Sequence, residues 1–286
     1  MCDEIKKNGE SYYLISEEKR REMVKRSVAA ITDIYQNSIL KDSSRNSFMI
    51  KRMEDLADRT VWAMGEQLKC GDFVPFVFEH KFNMEVGDGD RKQLMSGTID
   101  RVDICENGTD VYVRIIDYKT GKKDFNIVKT YYGIDIQLMV YMEAAMKLVA
   151  KMRPGKNVIP AGVFYYNISD PIVSATTESA EEIEDKIKGE LRLKGMVNSD
   201  KDIAEKMDNT GGTSLNIPVS RKADGGFDSR RSKVMNTEQF NMLGRFVDVR
   251  AVDTADRIAG GDIRRSPYKD GQFSSCDRCP YGAVCG

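Results

Sequence analysis

The stretch from Gly97 to Lys119 constrains the fold more than any other. It reads Gly-Thr-Ile-Asp-Arg-Val-Asp-Ile-Cys, the polar turn Glu-Asn-Gly-Thr-Asp, then Val-Tyr-Val-Arg-Ile-Ile-Asp-Tyr-Lys. Apolar residues alternate on either side of Asn107-Gly108, a pair that favours the tight turn of a β-hairpin. Three charges break the pattern: Asp100 inside the first strand, Asp117 at the end of the second, and Lys119 two residues on. A carboxylate beside Ile115-Ile116 is costly unless it is paired or holds a metal. Strand alternation puts Asp117 and Lys119 on one face with Tyr118 opposite, and the hairpin brings Asp100 towards them. Two carboxylates and an ammonium in one place suit a divalent cation with a nearby base or charge stabiliser. The bland alternative is edge-of-sheet charges followed by a plain turn. The three residues together weigh against it.

Around this hairpin the chain reads as an α/β protein. Ser16 caps a helix with Glu17 and Glu18 in its first turn and Met23, Val28 and Ile31 as its apolar stripe. A second helix is expected over 46–69, with Phe48, Met53, Leu56, Val61, Met64 and Leu68 inward, Trp62 in the core and Gly71 as its stop. The segment 73–82 is extended, and Pro75 argues for an edge position or a strand start. Gly87-Asp88-Gly89-Asp90 reads as a turn. Past Lys119, a polar loop (120–124) carries Lys122 and Lys123. A helix is expected over 135–151, where Gln137 and Tyr141, four residues apart, share one face. The last core strand is 157–167. Residues 176–207 read as charged helix broken near Asn198, followed by a long loop (209–233) that is either functional or disordered. That loop holds the best local basic stretch, Arg221, Lys222, Arg230, Arg231 and Lys233, which suits a nucleic-acid backbone as well as a solvated surface. A last helix runs from Asn236 to Ala259. The natural divisions are 1–72, 73–170, 171–260 and 261–286.

Bulk charge does not announce nucleic acid, since 44 Lys+Arg against 45 Asp+Glu leave a formal charge of −1 over 286 residues. A basic groove has to be local. No apolar run reaches the ~20 residues of a membrane span and no signal peptide opens the chain, so a cytoplasmic protein is expected. Of six cysteines (Cys2, Cys70, Cys105, Cys276, Cys279 and Cys285), three crowd the last eleven residues. Their Cys-x2-Cys-x5-Cys spacing suits one soft metal centre, zinc or iron–sulfur, either of which wants a fourth ligand.

Gly97-x-x-Asp100-Arg101, then Ile116-Asp117-Tyr118-Lys119-Thr120-Gly121, then Gln137-x-x-x-Tyr141 resembles the RecB-like branch of the PD-(D/E)xK nucleases. Cys276-x-x-Cys279-Pro280-Tyr281-x-x-x-Cys285 is similar to the iron–sulfur cysteines closing the nuclease domain of AddB-like helicase–nuclease subunits, and Ser232-Lys233-Val234 and Pro267-Tyr268 look AddB-like too. The resemblance implies a restriction-endonuclease-like core, a mixed central sheet flanked by helices, with helical additions and a C-terminal cysteine tail. It implies a deoxyribonuclease, an exonuclease hydrolysing phosphodiesters, acting in double-strand break repair and recombination. Asp100 and Asp117 would hold Mg²⁺ (or Mn²⁺), Lys119 would serve the attacking water or the phosphate, and Gln137 and Tyr141 would brace the site. Cys276, Cys279 and Cys285 would hold a [4Fe–4S] cluster. Partners would be a single DNA strand and an AddA-like helicase–nuclease subunit, with no membrane.

The family's metal-binding His lies on an upstream helix, so His80, the sole histidine, is a poor match by position, and Glu79 is the better site-facing group. The family's first cluster Cys also lies upstream, Cys2 lacks its flanking residues, and Cys70 and Cys105 fall in other elements. A truncated piece of a longer protein is therefore expected, with the cluster absent or damaged. The rivals are a non-catalytic DNA-binding or scaffolding module that keeps the nuclease fold, and a zinc-ribbon module, which would need a nearby fourth ligand.

Overall fold

A computed structural model describes residues 5, 11–34, 43–87, 92–174, 177–271 and 273–285. Two helices come first, α1 (Glu17–Ile34) and α2 (Ser44–Lys69), and they pack on each other. Ser16 Oγ accepts from the Lys19 amide at 3.3 Å and Ser43 Oγ from the Asn46 amide at 3.2 Å, satisfying amides that each first helical turn leaves free. An antiparallel meander follows, β1 (Val74–Val86), β2 (Gln93–Asn107) and β3 (Asp110–Lys119). The hairpin turn centres on Gly108-Thr109, one residue later than the Asn107-Gly108 reading, because Asn107 still pairs with Asp110. Gly108 takes the left-handed φ of 59° that such a turn requires.

From β3 the chain passes through α3 (Ile127–Tyr131) and α4 (Gln137–Met152) to β4 (Asn157–Asn167), which pairs parallel to β3. A parallel pair needs such a crossover, and α4 supplies it. Then come α5 (Ala180–Glu190), β5 (Lys194–Asn198), α6 (Lys201–Met207), β6 (Val234–Met235) and α7 (Thr237–Ala259). The tail carries a two-residue ribbon, β7 (Lys269–Asp270) and β8 (Phe273–Ser274), and ends in α8 (Gly282–Cys285). The main sheet is mixed, in the order β1-β2-β3-β4-β5-β6, so the hairpin's second strand lies in its interior. Pro75 sits on β1, the edge strand, beside a bulge, where a missing N–H costs least. Among the described residues no helix is long and apolar enough to cross a membrane.

Interior position makes β3 buried on both faces, with a core on each side. Val111, Val113 and Ile115 meet Leu138, Ala145 and Val149 of α4, and Phe240 and Val247 of α7. Tyr112 and Ile116 face Phe73, Ile203, Met207, Ile217 and Val219. Each of these large aliphatic side chains contributes roughly 1.5–3 kcal/mol by leaving water.

Several expectations change. In α1, Met23 and Val28 are buried, but Ile31 is half exposed. In α2, Met64 and Leu68 are buried and Trp62 packs against the core, while Phe48 and Met53 are exposed, because only the second half of α2 reaches the sheet. Gly71 is not a left-handed helix stop: a Cβ there would stand 2.3 Å from the Lys206 carbonyl oxygen, whose bond from the Asp72 amide fixes this close approach. The break near Asn198 is strand β5, which pairs with β4 and β6. The loop 209–233 is ordered. Buried Asp208 accepts from Ser214 Oγ (2.6 Å), Asn216 Nδ2 (3.1 Å) and the Thr210 amide (2.9 Å), and Ile217 and Val219 fill the second core. Of that loop's basic residues, Arg221 donates to the Ala204 and Asp208 carbonyls at 2.6 Å and Lys233 pairs with Asp124, so both have structural work. The turn at Asp88–Asp90 and Cys2 lie outside the described residues.

Candidate active site

At the C-terminal end of β3 the structure brings together Asp100, Asp117, Lys119, Gln137 and Tyr141. Alternation carries the row 111, 113, 115 of the first core on to Asp117 and Lys119, so both point to the side of the sheet that α4 covers. Asp100 arrives by a local change of face. Val77 and Val102 pair and face the first core, and so does Phe82, paired with Gly97. The odd step from 77 to 82 means that the alternation reverses between them. Glu79 takes up this reversal with φ at 47°, the only left-handed non-glycine among the described residues. Its opposite strand carries Asp100, whose Oδ2 accepts from the Tyr118 amide at 2.7 Å.

Gly97 has a steric reason to be glycine. A Cβ there would stand 3.0 Å from the Phe82 ring and 3.4 Å from the Tyr141 ring. Phe82 meets Tyr141 edge-on at 5.8 Å. Gly97 thus lets α4 approach β2 closely enough for Tyr141 to reach the site.

Asp117 is 2 % exposed, and its Oδ2 lies 2.6 Å from Lys119 Nζ. This close ion pair is the contact through which Lys119 offsets the burial of Oδ2. Burial pushes the Asp117 carboxyl above its ordinary range, Lys119 opposes this, and the Asp100 charge adds to it. Lys119 Nζ donates to Gln137 Oε1 at 3.0 Å, and Gln137 Nε2 donates to the Tyr141 hydroxyl at 2.8 Å. Gln137 therefore holds Lys119, and Tyr141 holds Gln137. Glu79 is close enough for Asp100 to raise its carboxyl, burial being the larger cause.

A buried carboxylate next to a second carboxylate is a hard-donor set that fits a divalent cation. Asp100 and Asp117 are two such donors, and no group of three or more His, Cys, Asp or Glu able to hold a metal is gathered among the described residues. His80 is half-buried on β1, paired with Ile99. In the tail, Cys276, Cys279 and Cys285 are exposed free thiols. Cys105 is buried and Cys70 half-buried, and burial raises both thiols, which disfavours the ligating thiolate. The described cysteines thus supply three soft donors at the tail and no fourth.

Two groups of residues went unread in the sequence. Tyr165, opposite Asp117 in register, donates to Asp135 Oδ1 at 2.7 Å. Lys123 Nζ lies 3.0 Å from that oxygen and 4.6 Å from the Tyr165 ring centre. On the other face, Arg101, Asp103 and Arg114 form a buried triad: Arg101 grips both Asp103 oxygens at 2.7 and 2.6 Å, and Arg114 Nε adds a bond at 2.9 Å. Burial alone would raise the Asp103 carboxyl, but the two guanidiniums overcome it and hold it low. The signal was present, since the hairpin register sets Asp103 opposite Arg114.

This chain belongs to the PD-(D/E)XK nuclease superfamily, whose family model matches residues 10–286. Closer relatives are more specific. The chain is similar to the B subunit of the ATP-dependent helicase/deoxyribonuclease of Clostridium botulinum strain Hall, 36% identical over 258 residues, which cover 86% of this chain and 22% of that protein. The B subunit of the same name from Lachnoclostridium phytofermentans is 33% identical over 286 residues, 96% of this chain and 24% of that protein. The one from Caldanaerobacter subterraneus subsp. tengcongensis is 36% identical over 269 residues, 90% and 23%. The chain spans about a quarter of the length of these curated relatives or less.

Proposed function

We propose that this chain is a metal-dependent DNA nuclease domain of a helicase/deoxyribonuclease B subunit, hydrolysing phosphodiesters exonucleolytically during double-strand break repair and recombination. The observation that carries the reading is the buried Asp117 carboxylate, ion-paired with the Lys119 ammonium and close to a second carboxylate, Asp100. Asp100 and Asp117, with a backbone carbonyl near Tyr118, would hold Mg²⁺ or Mn²⁺. When bound, the cation supplies Lewis-acid charge against the scissile phosphate. Lys119, steadied by Gln137, directs its ammonium at the phosphate oxygens and orients the attacking water, while Tyr141 keeps Gln137 in place. In the net reaction, water oxygen bonds to phosphorus, the P–O bond to the leaving nucleotide breaks, and the leaving oxygen takes up the proton.

The three tail thiols are the natural donors to a [4Fe–4S] cluster completed by a fourth ligand, and no catalytic step runs through them. An AddA-like helicase–nuclease subunit is the partner this reading implies. The test is Mg²⁺- or Mn²⁺-dependent cleavage of end-labelled single-stranded DNA by this chain, beside Asp117→Ala and Lys119→Ala. Cleavage lost in both variants supports the reading. Undiminished cleavage in Asp117→Ala overturns the site. DNA binding without cleavage, persisting in a chain extended upstream, favours the scaffolding module instead.

A further inference from the structure

We propose that the groove between α3, the C-terminal half of α7 and tail residues 266–270 and Ser275 is a single-stranded DNA-binding site, a base-stacking track that leads to the catalytic centre; this deepens the nuclease reading and rests on it. The groove encloses about 710 Å³. Its walls combine rings and guanidiniums. Beside the groove's lining, Tyr131 is 58% exposed yet stacks on Phe246, with centroids 5.2 Å apart and planes 6° from parallel. Tyr132, 52% exposed, leans on Tyr268 at 5.1 Å. Rings half open to solvent and braced from behind by other rings are costly to leave bare and already ordered, which is what a stacking platform for bases requires.

The charge in the groove matches a polyanion. Arg250 and Arg257 line it from α7 and Arg264 from the tail. Phe246, Arg250 and Arg257 follow one stripe of the helix at i, i+4 and i+11. Asp262 offsets part of this, pairing with Arg257 at 2.8 Å and Arg264 at 2.7 Å, and Lys269 and Asp270 balance each other. Arg250 is only loosely balanced, by Asp253 at 3.9 Å. The wall stays net positive through the surplus guanidinium at Asp262 and this loosely held one. Arg250 Nε is itself buried without a hydrogen-bond partner, so this guanidinium is not saturated by the protein.

Chain adjacency and two hydrogen bonds tie the groove wall to the catalytic centre. Tyr132 is five residues before Gln137, and the connecting turn is fixed by Thr130 Oγ1 donating to the Asp135 carbonyl at 2.9 Å. Asp135 in turn holds Tyr165, the register partner of Asp117. A duplex keeps its bases stacked inside and cannot offer them to Tyr131 and Tyr132, so the chemistry selects a single strand.

Fluorescence anisotropy of labelled (dT)20 with the full chain in EDTA tests this without any cleavage. Tyr132→Ala should weaken binding about tenfold, Tyr132→Phe should leave it unchanged, and a 20-base-pair duplex should bind more weakly than the single strand. Arg250→Gln should make the slope of log K against log salt shallower by about 0.7. Photocrosslinking of 5-iodouracil-substituted strand to the unaltered chain should label peptides containing Tyr131, Tyr132 or Tyr268. No binding of (dT)20, unchanged binding by Tyr132→Ala, an equally tight duplex, or labels confined to other peptides would each overturn the groove. Failure of the nuclease reading looks different: metal-dependent cleavage would be missing while the ring-dependent binding persisted.

Discussion

The hairpin buries two charged clusters back to back, on opposite faces of β2 and β3, and they differ in the charges set round each carboxylate. On the α2 side, the Asp103 carboxylate accepts three charge-assisted hydrogen bonds from Arg101 and Arg114. On the α4 side, Asp117 is nearly as buried but pairs with the Lys119 ammonium, with a second carboxylate, Asp100, and Lys123 also close enough to act on it. Both Asp103 oxygens are held by guanidiniums, although Arg114 Nη2 is itself buried without a partner, and this cluster supports the fold. The second sets its carboxylate beside another carboxylate, the set proposed above to take a cation. Burial of a carboxylate therefore says little by itself; the charges gathered round it separate the two.

Breaking the two clusters should give opposite results. Asp117→Asn is expected to lower metal-dependent cleavage by about a thousandfold or more, roughly 4 kcal/mol of barrier, with no loss of melting temperature. Single-turnover rates beside a thermal melt would check both halves. Asp103→Ala strands two guanidiniums and should cost about 3–5 kcal/mol of stability, read from urea unfolding. Its pH signature has a definite sign. Because the folded carboxyl is held low, its contribution is complete above the unfolded value near ~3.9 and fades only as pH falls through the lower folded value. The parent's stability should thus carry an acid-side loss that Asp103→Ala lacks. Gln137→Ala releases Lys119 without touching either carboxylate and should cost about 10–100-fold in cleavage rate, with DNA affinity kept. Smallest, Asn236→Ala removes the cap that accepts from the Gln239 amide at 2.8 Å, and should cost ~1 kcal/mol in unfolding with no change in the chemistry.

The contrast also explains what could be read in advance. Alternation around a tight turn places Asp117 and Lys119 on one face, and four-residue spacing aligns Gln137 with Tyr141, so the clustering of these residues was legible from local geometry. The second strand pair was not. In β5, Gly195 breaks the strand pattern because a Cβ there would stand 1.9 Å from the Val163 carbonyl oxygen, a close approach that only the tertiary structure reveals. Order in the loop 209–233 comes from one buried carboxylate, Asp208, which carries no periodic signal. Its apolar run Leu215-Asn216-Ile217-Pro218-Val219 was the available hint, and Ile217 and Val219 are fully buried. The groove beside α3 escaped because its rings and arginines come from segments more than a hundred residues apart.

The position of α7 has a temporal consequence. Every side chain of the site lies between Asp100 and Tyr141, yet the helix that packs against α4 is completed only at Ala259. At ~5–20 residues per second, a growing chain spends roughly 6–24 s between those points. During that interval the flank of α4 that later receives Phe240 and Val247 is bare. The nascent domain thus carries its candidate site residues before the helix that covers α4, so its core on that side closes only when α7 docks.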